Sequence, residues 1–437
     1  MKKLFLILLF SFTFFSLNAK DDLIQSGPML GYSDYREVLI WIQLKAKADV
    51  FAKYYDINDK SKIYSTDIKT TVKDNAFIAK MIADSVLPGK KYKYEIYING
   101  KKSDFDYNLE FQTPINWKWK TDPPDFSFAL GSCFYVNDEP WDRKGKPYGG
   151  EYFIMNSILE KKPDFMLWMG DNTYLREGDW NSKTGIYHRW THTRSIPELQ
   201  PLLASVHHYG IWDDHDYGPN DANRSFSYKE LTKNAFQDFF GNPESFLPSN
   251  TFSFEWGDCE FFMMDNRWFK EANKDTTKDK IYFGRLQLNW LIDNLLDSKA
   301  KFKFVVSGGQ ILNPLKINEN FSNYESERNL LLNIIKDYKI KGVVFLTGDI
   351  HFSEISKLEF NNGNKCYDFT SSTLTAGPYT DGCNQQNPLR VEGKCYNKRN
   401  FGTINIFTEN GKRKLKLITF DNTGKEVWNY IISEDDF

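Results

Sequence analysis

Asp164-Phe165-Met166-Leu167-Trp168-Met169 is an apolar run entered through a single acid, and it stops on Gly170-Asp171-Asn172-Thr173-Tyr174. A short apolar segment without alternation, bounded by turn residues, reads as a strand buried on both faces, as in a parallel sheet. The same punctuation recurs along the chain. Phe126 to Leu130 runs into Gly131-Ser132-Cys133, and Tyr209 to Trp212 into Asp213-Asp214-His215-Asp216 followed by Gly218-Pro219-Asn220-Asp221. Phe302 to Val306 runs into Ser307-Gly308-Gly309-Gln310, and Val343 to Leu346 into Thr347-Gly348-Asp349-Ile350-His351. Helical stretches fall between these strands. Glu151 to Lys161 is closed by Pro163, Pro197 to Val206 starts on a favoured first-turn proline, and Glu325 to Tyr338 forms another. Arg285 to Leu296 places Leu288, Leu291, Ile292 and Leu295 at helical spacing. Such alternation implies sheets covered by helices. Thr251 to Met264 reads instead as a hairpin around Gly257-Asp258, and the tail from Phe401 alternates like strands.

Upstream the rhythm differs. Val38 to Ile42, Val50 to Tyr55, Ile63 to Val72 and Tyr92 to Tyr97 are strand-like runs separated by turns, which predicts a small β-sandwich over residues 20–118. The charged, Pro-containing stretch Lys118 to Asp125 is the expected linker to a second domain, 125–437. At the start, Lys2-Lys3, the apolar run Leu4 to Phe15 and the small-residue site Leu17-Asn18-Ala19 predict a signal peptide over 1–19, hence a secreted or periplasmic protein. No later stretch reads as a membrane span. The 437 residues carry 58 acids against 56 bases, a formal charge of −2, which argues against a dedicated nucleic-acid surface. Export permits disulfides among Cys133, Cys259, Cys366, Cys383 and Cys395. Their odd number leaves at least one unpaired. Cys383 and Cys395 bracket a loop and are the favoured pair, with Cys366 able to take either one.

Five strand ends therefore carry Asp, His, Cys, Gln or Asn, where ligands bind in open α/β sheets. Each has a plain reading alone: Gly-Asp after a strand is often a turn with a helix cap, and a lone Cys is often a small buried residue. Asp213 to Asp216 resists that reading, because three carboxylates around a His repel without a cation or hydrogen bonds. Asp349 and His351 lie two apart, so on a strand both would face one way. His207-His208 precedes a strand and reads as structural.

The set Gly131-Ser132-Cys133, Gly170-Asp171-x-x-Tyr174, Trp212-Asp213-Asp214-His215-Asp216 and Gly348-Asp349-x-His351 resembles the alkaline phosphatase D family. That family lies within the calcineurin-like metallophosphoesterases and is similar to purple acid phosphatases. The resemblance implies an α/β sandwich of two β-sheets flanked by helices, preceded by a small all-β fibronectin- or immunoglobulin-like domain. It implies a ferric ion held by Cys133, Asp171, Tyr174 and His351, and calcium near Asp171 with Asn220 and Asp349. Asp214 matches a position where the wider superfamily places an Asn ligand and so competes with Asn220. Gln310 falls where that superfamily often has a His, and His192 and Arg194 lie where they could reach a phosphate.

The residue chemistry agrees. Carboxylate and amide oxygens suit calcium, whereas thiolate and imidazole suit transition metals. A shared carboxylate, Asp171, would bridge two metals, with metal-bound hydroxide as nucleophile and His215 giving a hydrogen bond or proton to the leaving oxygen. The expectation is an exported phosphomonoesterase or phosphodiesterase acting on small or polymeric phosphate esters through iron and calcium. Zinc or manganese on the same fold is one alternative, and an adhesion protein with a degenerate catalytic domain is another. A non-haem iron oxygenase would instead need two His and one carboxylate.

Overall fold

Two β-sheets stack face to face, and the apolar runs supply their shared interior. The computed structural model describes residues 22–276 and 278–437, so the expected signal peptide lies outside the described residues. One sheet has nine strands in the order Glu426–Ser433, Lys412–Asp421, Asn400–Glu409, Phe126–Gly131, Phe165–Met169, His207–Ile211, Ile24–Ser33, Val38–Leu44 and Ile78–Ala83. The other has seven: Phe252–Trp256, Cys259–Met263, Phe302–Val306, Val343–Thr347, Lys365–Thr370, Ser353–Glu359 and Arg390–Tyr396. The middle strands of each are parallel. The predicted hairpin is present, with Trp256 opposite Cys259.

Side-chain alternation explains why the central strands are apolar throughout. Phe128, Leu130, Phe165, Leu167 and Met169 meet Phe261, Met263, Phe304, Val306 and Leu346 between the sheets. Their neighbours Ala129, Met166 and Trp168 turn outward onto the helices Ile154–Glu160, Lys183–Arg194, Gln200–Ser205 and Lys229–Phe239. On the far side Phe262, Val305 and Phe345 pack under Arg285–Asp297 and Glu325–Asp337. The layers run helix, sheet, sheet, helix. Phe261 is the hub of the interior, its ring 4.6 Å from Phe254, 4.8 Å from Phe304, 5.3 Å from Phe128 and 5.4 Å from Phe165. Truncating such a ring typically costs about 3–5 kcal/mol.

The N-terminal strands depart from a free-standing sandwich. Asp49–Asp56, Asp59–Ser65 and Lys91–Ile98 form a second layer over Val38–Leu44 and Ile78–Ala83, with Val50, Tyr54, Tyr94 and Ile96 buried against Val38, Ile40 and Ile42. However, Ile24–Ser33 pairs in parallel with His207–Ile211, Leu30 opposite His207, so one layer continues the nine-stranded sheet. That pairing covers a strand edge that would otherwise stand open. His207 and His208 lie within this strand rather than before it, and both are buried. His207 faces the Gly31 carbonyl through Nδ1 and the Gln112 carbonyl through Nε2, each at 2.9 Å. The linker is tied down by Arg413, which forks onto Asp258 at 2.8 and 2.9 Å and also binds Asp125. Cys383 and Cys395 are disulfide-bonded, and Cys133, Cys259 and Cys366 are free and buried.

Candidate metal centre

Four of the expected ligands are posed by the backbone. Cys133, Asp171, Asp349 and His351 all adopt left-handed conformations, with φ of 61°, 53°, 67° and 57°. Left-handed backbone is uncommon for non-glycine residues and clusters where function over-determines it. Each turn bends its side chain into the gap beyond the strand ends. Asp349 and His351 are thus not on a strand: Val343–Thr347 ends two residues earlier, and the turn, not strand alternation, aims them. Glycine lets the two sheets close here. A Cβ on Gly348 would lie 2.5 Å from Ser132 Oγ and 2.9 Å from the Met169 carbonyl.

The nine-stranded sheet supplies Cys133, Asp171 and the Asp213-to-Asp216 turn, and the seven-stranded sheet supplies Asp349 and His351. Cys133 Sγ lies 3.6 Å from Asp171 Oδ2 and 3.2 Å from Ser372 Oγ. Tyr174 Oη lies 3.1 Å from Asp171 Oδ2 and 3.3 Å from His351 Nε2. His351 Nδ1 donates to the Gly377 carbonyl at 2.5 Å, which leaves Nε2 as the lone-pair nitrogen facing the cluster. Three groups of ligand-type residues overlap. Cys133, Asp171 and His351 bring ligand atoms within 4.8 Å of one another, as do Asp171, Asp214 and His215, and Asp214, Asp221 and Glu319. Asp171 belongs to the first two.

These groups suppress one another's ionisation. Burial, then Asp214 and Cys133, push Asp171 well above the carboxylate range. Burial, then Asp213 and Glu319, do the same to Asp349. Burial lifts the Cys133 thiol to about 12 and, with Asp171, raises Tyr174. Asp214 goes the other way: burial opposes its charge, but His215, Arg267 and the Asp221 N–H hold it low. A cation reverses this balance, because ligand charge then has a partner. The donor set fits metal binding on that ground.

The other acids of the Asp213 turn have structural partners. Asp213 Oδ1 accepts from Arg267 Nε at 2.5 Å and Asn266 Nδ2 at 2.8 Å. Asp216 accepts the N–H groups of Thr173 and Asp213 at 2.9 and 3.0 Å and caps the turn. Of this turn, Asp214 and His215 bring ligand-type atoms within 4.8 Å of Asp171, while Asp213 keeps Oδ2 buried without a protein partner. The His215 ring lies tilted by 31° against Tyr174, ring centres 4.3 Å apart, its Nδ1 is buried without a protein partner, and burial lowers its pKa to about 4.

Asn220 is exposed and lines the cavity in front of the centre beside His215. Gln310 is elsewhere, donating to Glu354 at 2.8 Å and Thr370 at 3.0 Å. Arg194 does not line the cavity in front of the centre: it is fully buried, its guanidinium against Phe240, Trp168 and Trp190. His192 binds the Asn137 carbonyl at 2.7 Å. Sequence reasoning passed over Ser372, whose Oγ touches Cys133 Sγ and accepts from the His351 N–H at 3.1 Å. The polar run Thr370 to Thr373 directly after an apolar strand was the available signal. Glu319 and Arg176 had no such signal, since both sit in stretches without a motif.

Comparison with known proteins bears on this arrangement. The family model described as PhoD-like phosphatase matches residues 128–417. Alkaline phosphatase D of Bacillus subtilis (strain 168) is 23% identical over 353 residues, covering 68% of this chain. The chain spans 58% of the length of that relative. A solved structure titled "Structure of PhoD" superposes with a TM-score of 0.76 at 18% identity, covering 96% of this chain and 90% of that one.

Proposed function

The chain belongs to the PhoD-like phosphatase family, and from that premise we propose that this centre hydrolyses phosphate esters with two kinds of metal ion. The observation that carries the reading is the overlap of two ligand groups at one buried carboxylate, Asp171. Cys133, Asp171, Tyr174 and His351 would hold a ferric ion, the thiolate, phenolate and carboxylate matching a trivalent charge. Asp171, Asp349 and Asp214, with Asn220 at the rim, would hold calcium through hard oxygens. When bound, the ions supply Lewis acidity toward phosphoryl oxygens and lower the pKa of water.

The chain's own groups do the rest. Asp171 keeps both ligand groups in register, and the Gly377 carbonyl fixes the His351 tautomer. His215 stands at the cavity wall, held by the Tyr174 ring, as the hydrogen-bond donor to the leaving oxygen. Export with cleavage after Ala19 belongs to the same reading. So does a fibronectin-like unit over 20–118, for which the buried cluster between the N-terminal layers speaks, although Ala204 of the Gln200–Ser205 helix joins it.

Total metal analysis of purified protein tests the metal identity: iron together with calcium supports it, and zinc or manganese alone sinks it. Asp171→Asn keeps the shape and removes the shared charge. Turnover of an aryl phosphate should fall at least about a thousandfold, ~4 kcal/mol in the barrier. A variant keeping more than about a tenth of wild-type turnover shows that Asp171 joins nothing.

A further inference from the structure

The cavity in front of the centre, about 460 Å³, is cationic. Arg143, Lys144, Lys146 and Arg176 line it, against one carboxylate, Asp142. Asp142 is already engaged, accepting from Tyr135 Oη at 2.5 Å and from the Asp138 N–H at 2.8 Å. Arg143 pairs with Glu177 at the exposed rim, where such a pair is weak. Arg176 differs from the rest. Only 7% of it is exposed, and it forms no ion pair with any described carboxylate. Its guanidinium carbon sits 4.8, 5.5 and 5.9 Å from the ring centres of Tyr135, Tyr174 and Tyr148, and Nε donates to Tyr135 Oη at 3.3 Å. Three ring faces hold it in one pose, and cation–π attraction offsets part of its desolvation. A buried guanidinium still lacks a matching anion there, and its planar fork fits carboxylate or phosphate.

Tyr174 sets the spacing. Its Oη touches Asp171 and His351, while its ring face carries Arg176. One tyrosine thus touches the ligand cluster with its hydroxyl and carries the guanidinium over its ring, 5.5 Å from the ring centre. We propose that the cavity selects phosphate esters whose leaving group bears a second anionic group beside the scissile phosphate, and that Arg176 is the residue that binds it. This rests on the phosphoesterase reading and names its substrate class: bisphosphates, carboxylated esters and nucleoside diphosphates rather than esters of neutral alcohols.

The test uses the full, metal-loaded protein and two aryl phosphates of matched leaving-group pKa, para-carboxyphenyl phosphate and a neutral-substituted analogue. Wild type should favour the carboxylate substrate in kcat/KM by at least about tenfold, the size of one charge-assisted hydrogen bond. Arg176→Gln should bring that ratio close to one, and Arg176→Lys, which keeps charge but loses the fork, should fall between. Arg176→Lys also carries the test should Arg176→Gln fail to fold. A wild type that cleaves both substrates equally overturns the inference and leaves the phosphoesterase reading standing. A variant that loses both substrates in parallel, ratio unchanged, also overturns it and moves Arg176 to the scissile phosphate. A wild type that cleaves neither overturns the phosphoesterase reading itself.

Discussion

Arg267→Met should destabilise the fold out of proportion to the volume it changes. Arg267 is fully buried and bonds both Asp213 and Glu319, while Lys270, also fully buried, bonds Glu319 and Asn273. With Asp214 close enough to feel the guanidinium, three carboxylates share two cations. Methionine fills most of the space but leaves Asp213 with Asn266 as its remaining side-chain donor. Removing one partner of a buried pair typically costs about 3–5 kcal/mol, because the other charge stays buried and uncompensated. The cause is separable from lost packing. Asp213→Asn on top of Arg267→Met removes the stranded charge and should recover at least about 1 kcal/mol. Equilibrium urea unfolding followed by tryptophan fluorescence, at fixed metal concentration and with a shared slope, gives all four corners of the cycle. The reasoning fails if Arg267→Met costs under about 1 kcal/mol, or if the double variant equals the sum of the singles within about 0.5 kcal/mol.

Two further outcomes follow from other sites. Cys133→Ser should lower iron content and the visible absorbance of a phenolate–iron pair together, since Sγ lies 3.6 Å from Asp171 Oδ2; an unchanged spectrum would return Cys133 to the role of a small buried residue. His208 should make stability depend on pH. It accepts from Trp168 Nε1 at 2.9 Å and donates to the Leu202 carbonyl at 3.1 Å, so only the neutral ring satisfies both, and burial lowers its pKa from 6.5 to about 3. The unfolded chain then binds the extra proton first, and stability falls as pH drops below 6.5, by roughly 3 kcal/mol on reaching pH 4. His208→Gln should lose its share of that slope while His207, also lowered by burial to about 4, keeps its own, and a variant whose slope matches wild type refutes the assignment.

The sequence made the strands of both sheets legible because burial on two faces leaves an unbroken apolar run, as in Phe165 to Met169. The ligand-bearing ends were legible for the complementary reason: polar residues directly after such runs have few other uses. What failed was direction. Two-residue spacing suggested that Asp349 and His351 shared a strand face, whereas left-handed turns aim them. Arg194 looked available for phosphate because a charge in sequence carries no sign of the Trp168, Trp190 and Phe240 rings around it. The Lys183–Arg194 helix escaped reading since its buried face includes Arg189, Thr193 and Arg194, leaving no clear apolar stripe. The parallel pairing of Ile24–Ser33 with His207–Ile211 joins residues far apart in sequence, and no local pattern announces it.

The division of ligands between the two sheets makes the aromatic interior a mechanical part of the centre. Cys133 and Asp171 ride on one sheet and His351 on the other, so the ring stack around Phe261 works as a spacer whose thickness sets the gap between two half-sites. Gly348 against Ser132 is the stop that limits how far the halves can close. Sequence drift among Phe128, Phe165, Phe261 and Phe304 would then shift the two halves of the proposed centre relative to each other without replacing any of the proposed ligands.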